Sequence, residues 1–162
     1  MNHWLMKSEP SVFGLDDFMK APRRTTMWDG VRNYQARNML RDQMRRGDQA
    51  FLYHSNCDAP GIYGILEVVR EGYPDPTQFI AGHDHHDPAS DPDNPRWFVV
   101  DVRLVRALAT PVLLETLKNK PLPALEGMLI LRRGNRLSVT PVTPPEWSAV
   151  LALEAPPARA RR

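Results

Sequence analysis

The chain of 162 residues has a single cysteine, Cys57, so no disulfide can form within it. That excludes a fold held by covalent staples and suits a reducing compartment. Long apolar runs are also missing. Stretches such as Ala149 to Leu153 fall far short of the about 20 residues that a membrane-spanning helix needs. The opening MNHWLMKSEP has no cationic stretch leading into an apolar one, so no signal peptide is expected. A cytoplasmic location with no membrane partner follows as the expectation. Nor is there a glycine-rich phosphate loop, since Gly61-Ile62-Tyr63-Gly64 lacks the remaining glycine and a strand–turn–helix setting. No serine sits in a nucleophile elbow, and no pair of carboxylates stands out by its spacing. The case for an enzyme is thin, and no cofactor is expected.

The apolar fraction of 42% and the charged fraction of 25% are ordinary for a globular domain. The length fits one domain with a real core. Sixteen prolines point to many short elements joined by fixed turns. Net charge is only +2, but it is unevenly spread. Between Arg23 and Arg46, seven arginines face only Asp29 and Asp42, whereas His83 to Asp93 holds four aspartates and no Lys or Arg. A local basic region on a near-neutral chain is a weak pointer to nucleic acid, and a solvated helix face explains it equally well.

Periodicity predicts the elements. His3 to Lys7 reads as a buried strand stopped by Pro10, and Leu15 to Met19 as a short helix. Asn33 can cap a helix to about Arg45, with Ala36, Met39, Leu40 and Met44 as its apolar stripe. Arg37, Arg41 and Arg45, four apart, would share one of its faces. Strands are predicted at Gln49–His54, Ile62–Val69, Trp97–Val105 and Arg136–Val142, one helical turn at Asp75–Phe79 and a short helix at Leu113–Lys118. Thr143, Pro144 and Glu146 carry the spacing of a capping box that opens a last helix. These elements predict a mixed α/β fold around a strongly bent sheet or small barrel.

Three constellations can carry chemistry. Cys57 lies three residues from His54, as a nucleophile–base pair would, yet nothing recognisable activates the thiol. His83, Asp84, His85, His86 and Asp87 are possible metal ligands, but they sit in the polar, proline-rich loop from Gly82 to Pro95, which favours a solvated loop and no metal site. The third gathers polar and aromatic residues at element ends. Trp28, Tyr34 and Tyr53 can offer ring faces, Lys7, Ser8, Asn33, Ser55 and Asn56 can read a base edge, and Arg32 and Arg37 can reach phosphate. On composition alone, a packed core with capping residues explains this group better than a pocket.

Five segments in order tip that balance: Trp4-Leu5-Met6-Lys7-Ser8-Glu9-Pro10, the eleven residues from Trp28 to Asn38, Phe51-Leu52-Tyr53-His54-Ser55-Asn56, Tyr73-Pro74-Asp75-Pro76-Thr77 and Arg136 to Val142. With these the chain resembles the EVE domain family of the PUA-like superfamily, over about residues 2 to 153. The resemblance implies a PUA-like β-barrel of five or six strands decorated with short helices, as residues 1–153, followed by a disordered basic tail, 154–162. It implies a non-catalytic module, expected to be a monomer, that accepts a modified base flipped out of DNA or RNA. Relatives include the YTH, PUA and methyl-base-reading SRA domains, and vertebrate members are associated with modified cytosine. The residues it places in the pocket are Lys7, Ser8, Trp28, Gly30, Val31, Arg32, Asn33 and Tyr34, joined by Tyr53, His54, Ser55, Asn56 and Ser138. Arg32, Arg37 and Arg41 would meet the nucleic-acid backbone. The acidic loop from Gly82 to Pro95 departs from a phosphate-binding surface, and the tail from Pro156 lies outside the family pattern. Two other readings stand beside this one: a binder of a small free ligand such as a nucleoside, and a hydrolase using His54 and Cys57.

Overall fold

A run rich in β-branched residues from Ile62 to Val69 and the alternating stretch from Val100 to Leu104 lie in the two longest strands, Gly61–Pro74 and Phe98–Leu113, which pair antiparallel. The computed structural model describes residues 1–119 and 122–154; of the expected basic tail, all but Glu154 lies outside the described residues. The strands are β1 (His3–Ser8), β2 (Thr25–Met27), β3 (Gln49–His54), β4 (Gly61–Pro74), β5 (Phe98–Leu113) and β6 (Val139–Val142). They form one sheet in the order β2-β5-β4-β3-β1-β6. β1 and β3 run parallel, and all other pairs are antiparallel.

The sheet is mixed and six-stranded, as expected, but it does not close into a barrel. β2 pairs only with β5 and β6 only with β1, which leaves two edges. Burial explains why. A barrel has one apolar interior, whereas here both faces of the sheet carry a core. Trp4 and Met6 of β1 and Ala50 and Leu52 of β3 join one core, and Leu5, Phe51 and Tyr53 join the other. Helix α1 (Leu15–Lys20) and helix α2 (Tyr34–Asn38) cover the first with Phe18 and Ala36. Helix α3 (Leu114–Asn119) and helix α4 (Pro144–Leu153) cover the second with Leu117, Trp147 and Val150. The ring of Trp147 stacks on Phe51 at 3.9 Å. No helix among the described residues is long and apolar enough to cross a membrane.

The predicted helix from Asn33 to Arg45 is shorter and changes type. Asn33 does cap it, accepting a bond from the Ala36 amide at 3.0 Å. After Asn38, however, Met39–Gln43 form a π-turn, in which the Met44 amide donates to the Met39 carbonyl at 2.9 Å. The apolar stripe of Ala36, Met39, Leu40 and Met44 is buried as expected. The wider turn breaks the spacing of four, so Arg37, Arg41 and Arg45 do not line up on one regular helical face. β4 passes close by: a Cβ on Gly72 would lie 2.6 Å from the Leu40 carbonyl oxygen. At the last helix the predicted capping box forms, between Thr143 and Glu146.

Candidate functional site

The first core opens at one end into a cavity of about 340 Å³, near the low end of the about 300–1,000 Å³ usual for small-molecule sites. Three stretches of chain build its walls: the end of β1 with Val12 and Phe13, β2 with the following segment to Val31, and Ser138 just ahead of β6. A fourth wall comes from His83 and His85. The Trp28 amide donates to the Val100 carbonyl at 2.8 Å, which extends the β2–β5 ladder by a residue and fixes the indole. That indole is 7% exposed and packs near-parallel to Phe18 at 6.4 Å. The Lys7 amide donates to the Ser138 carbonyl at 2.8 Å, which joins the two polar walls. Burial lowers the pKa of the Lys7 ammonium.

The wall carrying Gly30 needs a residue without a side chain. Its φ is +79°, and a Cβ there would meet the His85 ring at 2.6 Å. The Gly30 amide donates to Asp75 Oδ2 at 3.2 Å. Asp75 is fully buried and also accepts from Arg32 at 3.0 Å and from the Thr77 amide at 2.8 Å. Burial on its own raises this carboxyl, but the bonds from Thr77, Arg32 and Gly30 together outweigh it and hold the pKa below the ordinary carboxylate value.

The loop from Gly82 to Pro95, expected to be solvated, is instead tied to this framework. Buried Gln78 donates to the carbonyls of Asp75 and Trp97 and accepts from Ser90 and from the Trp97 amide. The Trp97 indole donates to Asp87 at 2.7 Å, and Arg32 donates to the His85 carbonyl at 2.6 Å. His83 and His85 are thereby held against the cavity.

Of the residues expected in the pocket, Lys7, Ser8, Trp28, Gly30, Val31 and Ser138 come together there. The others do not. Arg32 is taken up by Asp75 and the loop, because a buried carboxylate needs a counter-charge. Asn33 is spent as the cap of α2. Tyr34, 52% exposed, stacks on Trp97 at 5.0 Å and lies under the Arg37 guanidinium. Tyr53 alternates with Leu52 and so faces the second core, where burial pushes its phenol up to about 12. His54 accepts from the Leu15 amide at 3.1 Å, stacks on Tyr63, and has its pKa lowered by burial. No hydrogen bond among the described residues joins it to Cys57. Ser55 donates its amide to the Ser8 carbonyl, and exposed Asn56 reaches Glu9. Of the two further arginines expected on the nucleic-acid backbone, Arg37 donates to the Arg96 carbonyl at 2.7 Å, and Arg41 pairs on the surface with Asp42.

Sequence reasoning missed Val12, Phe13, Thr26, Met27, Asp29, His83 and His85 as lining residues. Asp29 lies within the family segment from Trp28 to Asn38, beside Trp28 and Gly30. The histidines reach the cavity only through the Asp75 and Gln78 networks, which span distant parts of the chain. Arg23 and Arg24, the first two arginines of the basic stretch, are exposed residues at positive φ (55° and 51°) immediately before β2 and do not line the cavity. Among the described residues, Asp29, His83 and His85 are the group that could hold a metal ion. An aromatic wall, an ammonium, a carboxylate and the three hydroxyls of Ser8, Thr26 and Ser138 around a small cavity suit a flat, polar ligand that both stacks and hydrogen-bonds.

Comparison with known proteins places this geometry. The family model of the EVE domain matches residues 2–153. Human thymocyte nuclear protein 1 is 45% identical over 168 residues, covering 94% of this chain and 74% of the human one. The crystal structure of human THYN1 in complex with DNA containing 5-methylcytosine is 44% identical, with a TM-score of 0.90 over 98% of this chain and all of that one. A crystal structure from Pseudomonas putida, 41% identical, has a TM-score of 0.88 over 94% of this chain and 99% of its own.

Proposed function

The chain belongs to the EVE domain family, and from that premise we propose that it is a non-catalytic reader of DNA carrying 5-methylcytosine, which takes the modified base, flipped out of the helix, into the cavity beside Trp28. The observation that carries this reading is the bound state of the human relative, which shares the fold over the whole chain and holds DNA with that base. The cavity supplies fitting chemistry. Trp28 offers a face for stacking, Asp29 can accept from the exocyclic amine of cytosine, and the Lys7 ammonium can donate to a base carbonyl. Val12, Phe13 and Met27 give apolar surface for a methyl group. Outside the cavity, Arg23 and Arg24 lead into β2 and are placed for phosphate contacts, and so is Arg41, whose exposed partner Asp42 competes only weakly with phosphate. The domain is taken as residues 1–153 acting as a monomer.

Titration of duplexes that differ only in one cytosine, methylated or plain, at fixed salt tests the reading. The methylated duplex should bind more tightly, and Lys7→Met should weaken it by about 1.5–3 kcal/mol, roughly 10- to 150-fold, for a lost hydrogen bond from a charged donor. Equal affinity for the two duplexes would overturn the proposal. Competition by free 5-methyldeoxycytidine at comparable affinity would favour the free-ligand reading in its place.

A further inference from the structure

We propose that Asp29, His83 and His85 form a binding site for a divalent transition-metal ion in the wall of the cavity. One ligand atom from each residue lies within 4.8 Å of the others. His85 Nδ1 stands 3.5 Å from Asp29 Oδ2, close to the about 3.4 Å that separates two ligands of a tetrahedral ion with bonds of about 2.0–2.1 Å.

The same nitrogen carries the second observation: His85 Nδ1 is itself shielded from solvent, although the side chain is partly exposed, and it makes no hydrogen bond, with Asp29 Oδ2 at 3.5 Å as its charged neighbour. A buried polar atom left without a partner is costly, and an ion is the kind of partner that satisfies an imidazole nitrogen. Third, the ligands are held before any ion arrives. The absence of a side chain at Gly30 seats the His85 ring, Arg32 grips the His85 carbonyl, and the His85 amide donates to His83 Nδ1 at 2.9 Å. The charge of Arg32 is answered by Asp75, so it opposes a cation here only weakly.

Two imidazoles and one carboxylate favour zinc, cobalt, nickel or copper over magnesium or calcium, which prefer all-oxygen shells. Three protein ligands leave at least one position open toward the cavity, as in sites where water or a ligand completes the shell. This site shares Asp29 with the base-reading proposal but is argued from its own geometry.

The test uses the tag-free full chain without DNA. Zn²⁺ is titrated calorimetrically and Co²⁺ by its visible absorption. One equivalent should bind, and His83→Ala and His85→Ala should each weaken binding by at least the about tenfold that losing even an outer-shell partner costs. His86→Ala, at the exposed neighbouring position, should leave affinity unchanged. No saturable binding of either ion, or binding that survives both His83→Ala and His85→Ala, would overturn the proposal. If His85→Ala fails to fold, His83→Ala decides alone. Duplex titrations in excess chelator test the base reading separately, so either proposal can fail without the other.

Discussion

One carboxylate, that of Asp75, governs how the cavity wall is held. It joins Gly30 and Arg32 on one side to Thr77 on the other, across more than forty positions of chain. Removing one partner of a buried pair leaves the other uncompensated, so Asp75→Ala should cost about 3–5 kcal/mol in urea denaturation. The pH dependence has a definite sign. The folded carboxyl titrates below its ordinary value, whereas in the unfolded chain it titrates near about 3.9. Its contribution is therefore complete above that unfolded value and is lost as pH falls through the lowered folded one. Below about pH 4 the stability of the wild type should fall more steeply than that of Asp75→Ala; parallel curves would show that Asp75 is not the group responsible. The motif from Tyr73 to Thr77 was visible in the sequence as a family signature. Its role was not, because nothing local says that Asp75 will meet Arg32. For the same reason Arg32 was read as a phosphate contact when it is an internal counter-charge.

At the level of elements, alternation and capping carried most of the information. Five of the six strands, the cap at Asn33 and the capping box at Thr143 follow from short-range chemistry, but β4 and β5 run on to Pro74 and Leu113, well past the expected ends at Val69 and Val105, and β2 (Thr25–Met27) lies in a stretch whose sequence reads as irregular. Two things were beyond its reach. Periodicity identifies apolar faces but does not say whether the edges of a sheet meet, so it leaves a bent sheet and a small barrel both open, and the closed barrel is what the family resemblance adds. Tyr53 is assigned to the pocket by the family resemblance, although strand alternation already puts it on the face opposite Leu52. The π-turn at Met39–Gln43 was also illegible, because it depends on how β4 packs against it at Gly72. A Cβ at that position would press on backbone, 2.6 Å from the Leu40 oxygen and 2.9 Å from the Arg41 Cα. Gly72→Ala should accordingly lower stability by about 1–3 kcal/mol, as overpacking does, read as a lower urea midpoint with an unchanged slope. An unshifted midpoint would mean that β4 and the π-turn separate freely.

For the whole molecule, a net charge of +2 hides a basic stretch that includes Arg23, Arg24 and Arg41. If these arginines hold phosphates, log Kobs for a duplex should fall linearly with log salt, and each alanine substitution should reduce that slope by about 0.9. A slope unchanged in Arg23→Ala, Arg24→Ala and Arg41→Ala would move the DNA path to another surface. The order of the strands has a different consequence. β1, near the start of the chain, lies between β3 and β6, and its second neighbour is a strand some 135 residues later. Pairings this distant make the search for the native state slow, in the range of milliseconds to seconds rather than microseconds. Lys7 and Ser138 face each other only once that closing step is made. The wall that joins Lys7 to Ser138 should therefore return on refolding no sooner than this pairing does, however much of the rest of the sheet has formed.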